Sequence, residues 1–195
     1  MLAQAALALS LVVRIYDAYG VPADELAAAR AVVENILKDA GVAVTWPQCP
    51  CDTRVGATEL VVRIAAAPQA TGATSLGFSY VDVDRKAGTL ATVFADRVRT
   101  LASRAGVDES ELLGRAIAHE VGHLLLGTHD HDRDGLMRGE WTTIELARHR
   151  PWDWTLSRKA GAKMRQAVVR RMREPERPAA IVAGGDAWGA SLSAP

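Results

Sequence analysis

The chain has 195 residues, of which 49% are apolar and 24% charged. That matches one ordinary domain able to bury a sizeable core, and it excludes disordered, collagen-like and low-complexity classes for most of the length. Lys plus Arg total 23 and Asp plus Glu total 23, so no bulk field recruits nucleic acid or anionic membrane, and no run reaches the roughly 18 apolar residues that span a bilayer.

The opening MLAQAALALSLVV is apolar and carries A-x-A patterns of small residues, as at a signal-peptidase site, but no positive n-region precedes them. Residues 1–8 read equally well as a remnant of an export signal, which implies a secreted or periplasmic soluble protein, or as the approach to a buried first strand. SLVVRIY (10–16) has strand character either way. DELAAARAVVENILKDAG (24–41) is Ala-rich and helical with a terminating glycine, and VAVTW (42–46) returns to strand. A crossover of this length predicts that the two strands lie parallel. Cys49 and Cys51 are too close in sequence for an ordinary disulfide, so a small-residue loop is expected after Trp46 and Pro47.

ELVVRIA (59–65), a short run at 78–83 and TLATVF (89–94) supply three further strands, separated by a Gly/Ser/Thr-rich stretch through Gly77. No repeat of 20 to 50 residues is present. The expected class is α+β, with a mixed, twisted sheet of about five strands.

DESELLGRAIAHEVGHLLLG (108–127) is the strongest helix. Asp108 can cap it with Glu111 three residues on, and Gly127 stops it. Leu112, Leu113, Ala116, Ile117, Val121, Leu124 and Leu125 form its apolar stripe, which predicts one face on the sheet and the other free for chemistry. A last helix is expected over 156–172, with Leu156, Ala160, Met164, Val168 and Met172 as its core stripe. Eight basic residues against two acidic ones between 156 and 177 read as a solvated face. The Pro-, Gly- and Ala-rich residues 175–195 read as a disordered tail, leaving 1–174 as the folded catalytic unit.

Four of the five histidines fall in HEVGHLLLGTHDH (119–131). Composition alone predicts only roughly 0.006 occurrences of HExxH, so chance is a poor explanation. His119 and His123 stand one helical turn apart, close enough to grip one cation. Glu120 is rotated about 100° from His119, which places its carboxylate beside a metal without ligating it and suits a general base. Two imidazoles leave a tetrahedral Zn²⁺ short of a third protein ligand and an open position. The chain must therefore turn back at Gly127, after which it offers His129 and His131.

HExxH followed by a glycine stop, a third His and a downstream Met resembles the metzincin zinc peptidases, whose motif is HExxHxxGxxH with a later Met-turn. Here the glycine comes one residue late. His129 keeps the family's count from His119, and Met137 then falls eight residues after it, as in matrixin-like members. HEVGHLLLGTHDHDRDGLMRGEW also resembles a group of small bacterial predicted zinc peptidases in which the ligand stands four residues after the glycine, which here is His131. His131 is favoured because the late glycine shifts the turn, and both histidines stay on the ligand list.

The resemblance implies a zincin fold with an active-site helix and a C-terminal helix. It implies a zinc-dependent endopeptidase acting on peptide or protein substrates, with Glu120 drawing a proton from a metal-activated water. Met137 would be the hydrophobic floor of the Met-turn, with Trp141 close after it. An extended substrate would pair with an edge strand within 75–83, and a pocket around 139–143 would set side-chain preference. No Tyr follows Met137 to stabilise an oxyanion, and Arg138 is the nearest candidate.

Zinc-dependent RNA-processing endoribonucleases share a His triad spaced like His119, His123 and His129, but they usually lack the Glu. Glu120 and the balanced charge favour the peptidase, so no nucleic-acid partner is expected. A non-catalytic metal- or peptide-binding module is the alternative from another class. Asp130, Asp132, Asp134 and Gly135 also spell the opening of an EF-hand, but its twelfth position is Trp141 instead of Glu. Ca²⁺ or a second ion on those carboxylates therefore competes with a solvated acidic turn.

Overall fold

The computed structural model describes residues 9–47, 56, 58–68, 75–148 and 150–173. Residues 1–8, Cys49, Cys51 and 175–195, on which the export-signal, loop and tail expectations rest, lie outside the described residues. Eleven elements follow in chain order, beginning with β1 (Ser10–Asp17), α1 (Ala23–Asp39), β2 (Ala43–Thr45), β3 (Glu59–Ala65), β4 (Gly77–Asp82) and β5 (Ala87–Phe94). They continue with α2 (Ala95–Ala105), α3 (Glu109–Leu126), α4 (Thr143–Arg148), a 3-10 turn over Pro151–Trp154 and α5 (Arg158–Arg173).

The sheet runs in the order β2-β1-β3-β5-β4. β1 pairs in parallel with β2, as the crossover length predicts, and also with β3, which in turn pairs in parallel with β5. β4 is antiparallel to β5 and forms one edge. The fold is thus α+β with a mixed five-stranded sheet.

Period-2 alternation decides which strand residues go inside. Leu11 and Val13, Leu60, Val62 and Ile64, and Ala91 and Val93 are all fully buried. In β4 the buried residue is polar: Ser79 faces inward while Phe78 and Tyr80 on either side are exposed. This edge strand therefore contributes a hydroxyl to the interior.

α3 is the centre of the molecule. Its N-terminus is capped as the sequence predicts, with the Asp108 carboxylate accepting from the Glu111 amide at 2.8 Å. It packs against α1, β4, β5, α2 and α5, and every residue from Leu112 to Leu125 is buried. The expected free face is not free, because helices cover the side away from the sheet. The stretch from Ala116 to His123 contributes Ala116, His119, Glu120 and His123 to the lining of a cavity.

α2 and α4 are additions to the expected elements, and α5 begins at Arg158 rather than 156. The α5 stripe also differs at its end, where Met172 is exposed and Arg171 is buried against the Gly88 carbonyl oxygen. A strict four-residue repeat drifts about 40° per step on a 3.6-residue helix, so the last Met rotates off the core.

Candidate metal centre

The site is assembled from α3 and the chain that returns beneath it. Gly127 adopts φ +67°, a left-handed conformation that ends the helix, and its amide bonds the His123 carbonyl oxygen at 2.9 Å. A Cβ there would lie 2.2 Å from the Lys86 backbone, so the turn out of α3 passes directly under the β4–β5 connection. The chain then runs back through His129 and His131 to a tight turn at Gly135, where the Leu136 amide bonds the Thr155 carbonyl oxygen at 2.9 Å. The Asp132 amide bonds the Met137 carbonyl oxygen at 2.9 Å and closes the loop.

This path brings His119, His123 and His131 together. One nitrogen from each lies within 4.8 Å of the others, with Nε2 of His123 at 3.0 Å from Nε2 of His119 and 3.3 Å from Nε2 of His131. His119 Nδ1 meets the Leu136 carbonyl oxygen at 2.8 Å, and His123 Nδ1 meets the Thr128 carbonyl oxygen at 2.8 Å. A carbonyl oxygen only accepts, so both Nδ1 atoms must carry hydrogen, and in neutral rings both Nε2 atoms are bare lone pairs.

Two lone pairs converging at 3.0 Å repel unless a cation lies between them. For a tetrahedral ion with bonds of about 2.05 Å, ligand nitrogens sit roughly 3.3 Å apart, so the donor set fits Zn²⁺. Burial holds His119 down at about 4, opposed by its Leu136 bond and helped by His123 and His131. Burial likewise lowers His123, against its Thr128 bond. Both rings are therefore neutral, as metal ligands must be, at ordinary pH.

His129 is not part of this group. Its ring centroid is 6.4 Å from that of His123, whereas the His131 ring is 4.9 Å away and nearly perpendicular. Gly139 makes room for His131, since a Cβ at Gly139 would stand 3.2 Å from its Cγ. The exposed Asp130, Asp132 and Asp134 do not converge either. Among the described residues the three histidines are the one cluster with metal-ligand spacing, so calcium finds no support.

Met137 is buried directly under α3. A Cβ on Gly122 would meet its Sδ at 2.6 Å, which places the sulfur against the helix one residue before His123. Trp141 presents its ring to His119 edge-on at 5.6 Å and in turn meets Trp154 at 5.4 Å. Arg138 is only partly engaged, since among the described residues its buried Nε and Nη2 have no hydrogen-bond partner. Its Nη1 donates to Glu145 Oε1 at 2.8 Å and its guanidinium lies over Trp154, although its side chain still lines the cavity.

Glu120 points into the same cavity and is held by a residue the sequence reading missed. Ser79 Oγ lies 2.6 Å from Glu120 Oε2 and 2.9 Å from the Glu120 backbone oxygen. Gly77 crowds the same carboxylate, since a Cβ there would come 2.9 Å from Glu120 Oε1. Burial pushes the Glu120 carboxyl up to about 7, and the Ser79 hydrogen bond opposes it. No local pattern marks Ser79, because its partner is 41 positions away; only the inward phase of β4 could have pointed to it.

A cavity of about 880 Å³ joins these groups. Its walls are β4 from Gly77 to Ser79, one face of α2, and the segment after Met137 from Arg138 to Thr142. The expected pocket residues at 139–142 thus do line it.

No protein-family model matches the chain, and no curated protein is similar to it in sequence. Similarity appears in three dimensions. A zinc-dependent peptidase from Methanocorpusculum labreanum superposes with TM-score 0.53 at 14% identity, over 78% of this chain and 99% of that one. The archaemetzincin of Methanopyrus kandleri superposes with TM-score 0.54 at 15% identity, over 83% of this chain and 97% of that one, so the two share a fold.

Proposed function

We propose that the protein is a zinc-dependent peptidase of metzincin-like fold, with His119, His123 and His131 as the metal ligands and Glu120 as general base. The observation that carries this reading is the convergence of three imidazole rings, two of them oriented by backbone carbonyls, beside a buried carboxylate outside that cluster. The fold shared with a zinc-dependent peptidase and an archaemetzincin supports it. When bound, Zn²⁺ would polarise the scissile carbonyl and make water a competent nucleophile at neutral pH.

The chain's own residues do the rest. Glu120 accepts the proton that the attacking water sheds through Oε1, and Ser79 holds the carboxylate in position through Oε2. The same carboxyl then donates that proton to the leaving amine. Burial suits it to both tasks, because a carboxyl that titrates near neutrality exchanges a proton with little cost in either direction. The outer edge of β4 offers backbone groups along which an extended peptide would align, Trp141 braces the His119 ring edge-on, and Met137 fills the space against Gly122.

The test is zinc content together with hydrolysis of a mixed peptide pool. Glu120→Gln should keep zinc and lose cleavage by about a hundredfold or more. His123→Ala should lose both, and His131→Ala should release zinc while His129→Ala retains it. A wild type that binds zinc tightly yet cleaves no peptide would instead mark a binding module. Zinc loss on His129→Ala but not on His131→Ala would favour the ligand set shared with the endoribonucleases.

A further inference from the structure

The cavity beside the histidines has a wall whose chemistry the proposed reaction does not use. α2 turns one face toward it, with Arg97, Thr100, Leu101 and Arg104 at positions i, i+3, i+4 and i+7. The opposite, core-facing side of α2 is small and apolar, with Ala95, Val98 and Ala102 buried. The helix thus presents two arginines whose backbone positions are about 10.5 Å apart along its axis, with an aliphatic side chain between them.

The partners of these groups decide which of them is free to meet a ligand. Arg97 Nη1 donates to the Ser75 carbonyl oxygen at 2.8 Å, and its guanidinium lies 4.9 Å over the Phe94 ring. Arg104 is exposed and no hydrogen bond or ion pair ties it down among the described residues. Arg138 on the facing wall pairs with Glu145 through Nη1, while its buried Nε and Nη2 have no partner among the described residues. The lining also holds three acids: Asp96, which accepts from the Ala67 amide at 2.9 Å, Glu120, which is held by Ser79, and Glu140, which is exposed at the rim. No ion pair among the described residues ties up Arg104, and a guanidinium fork matches a carboxylate in geometry as well as charge.

Resting on the peptidase reading, we infer that this cavity binds a carboxylate of the peptide, with Arg104 as its selecting residue. The carboxylate belongs either to an Asp or Glu side chain next to the cleaved bond or to the C-terminus of a short peptide. Leu101 and Ala116 supply the apolar shelf for the carbon atoms that precede it.

Four fluorescein-labelled hexapeptides separate the sources: internal Glu with an amidated end, internal Gln with a free end, internal Gln amidated, and internal Lys amidated. Anisotropy with the metal-free full chain reads binding, and the zinc-loaded chain reads cleavage. The internal-Glu or the free-end peptide should bind about tenfold tighter than the amidated Gln peptide, and the Lys peptide should bind weakest. Whichever carboxylate peptide leads identifies the source. Arg104→Glu should erase the preference and Arg104→Lys should keep part of it, with melting temperatures near wild type because the side chain is exposed.

Equal binding of all four peptides, binding of none, or a preference that survives Arg104→Glu overturns the inference. Carboxylate-selective binding with no cleavage after zinc loading sinks the peptidase reading and leaves the subsite standing. Cleavage without selectivity does the reverse.

Discussion

Ser79, on the edge strand, and Glu120, at the centre of the main helix, meet through a 2.6 Å contact between Oγ and Oε2. The strand that would align a peptide therefore also holds the carboxylate proposed to act on it. Strand register and proton transfer are coupled: a shift of β4 by one residue would replace this hydroxyl with an aromatic ring.

Ser79→Ala should leave zinc content unchanged while lowering kcat about tenfold, with KM little altered, because the carboxylate loses its orientation and not its identity. The hydrogen bond lowers the Glu120 pKa, so its removal should move the acidic limb of the rate profile to higher pH. Ser79→Thr, which keeps the hydroxyl, should restore part of the rate. A parallel loss of zinc in Ser79→Ala would show that the residue supports the fold instead.

The metal-free protein should respond to pH in opposite ways through two groups. Glu120 is raised from 4.5 to about 7, so its contribution to stability is complete below 4.5 and is lost as pH rises through about 7. His119 is depressed from 6.5 to about 4, so its contribution is present above 6.5 and is lost as pH falls through about 4. Denaturant titrations of metal-free Glu120→Gln should lack the decline between pH 4.5 and 7 and retain the loss toward pH 4. Identical profiles for the variant and wild type would refute the assignment.

Met137→Ala should destabilise the protein by about 2–5 kcal/mol through the cavity left beneath Gly122, while Met137→Leu should cost less than about 1.5 kcal/mol. If the sulfur side chain supports the histidines, Met137→Ala should also weaken zinc binding, measured by competition with a chelator. Gly122→Ala, whose Cβ would press on the same sulfur, should shift zinc affinity in the same direction.

Much of the fold was legible because its signals are local. β3 follows the apolar run at 59–65 residue for residue, and α3 carries both its Asp108 cap and its Gly127 stop. α2 was missed because β5 runs straight into it, with Phe94 at the cap position and no side-chain hydrogen bond to announce a start. Its left-handed Gly106 and the spacing of Ala95, Val98 and Ala102 were the available clues. α4 carried a clearer one. Thr142 and Glu145 form a reciprocal capping box, with the Thr142 amide on Glu145 at 3.0 Å and the Glu145 amide on Thr142 at 3.3 Å.

The HExxH spacing by itself placed His119, Glu120 and His123 on adjacent positions of one helix, because a turn of 3.6 residues leaves no other arrangement. It also required the chain to turn at Gly127. Which later histidine joins the pair was decided by tertiary contacts: the close pass beneath Lys86, the Leu136–Thr155 anchor and the room left by Gly139 bring in His131 and leave His129 aside. The Ser79 contact and the arginine-bearing wall of α2 have the same origin. Helical periodicity acts over a few residues and is written in the chain, whereas contacts across 40 positions exist only once the sheet register and helix packing are set.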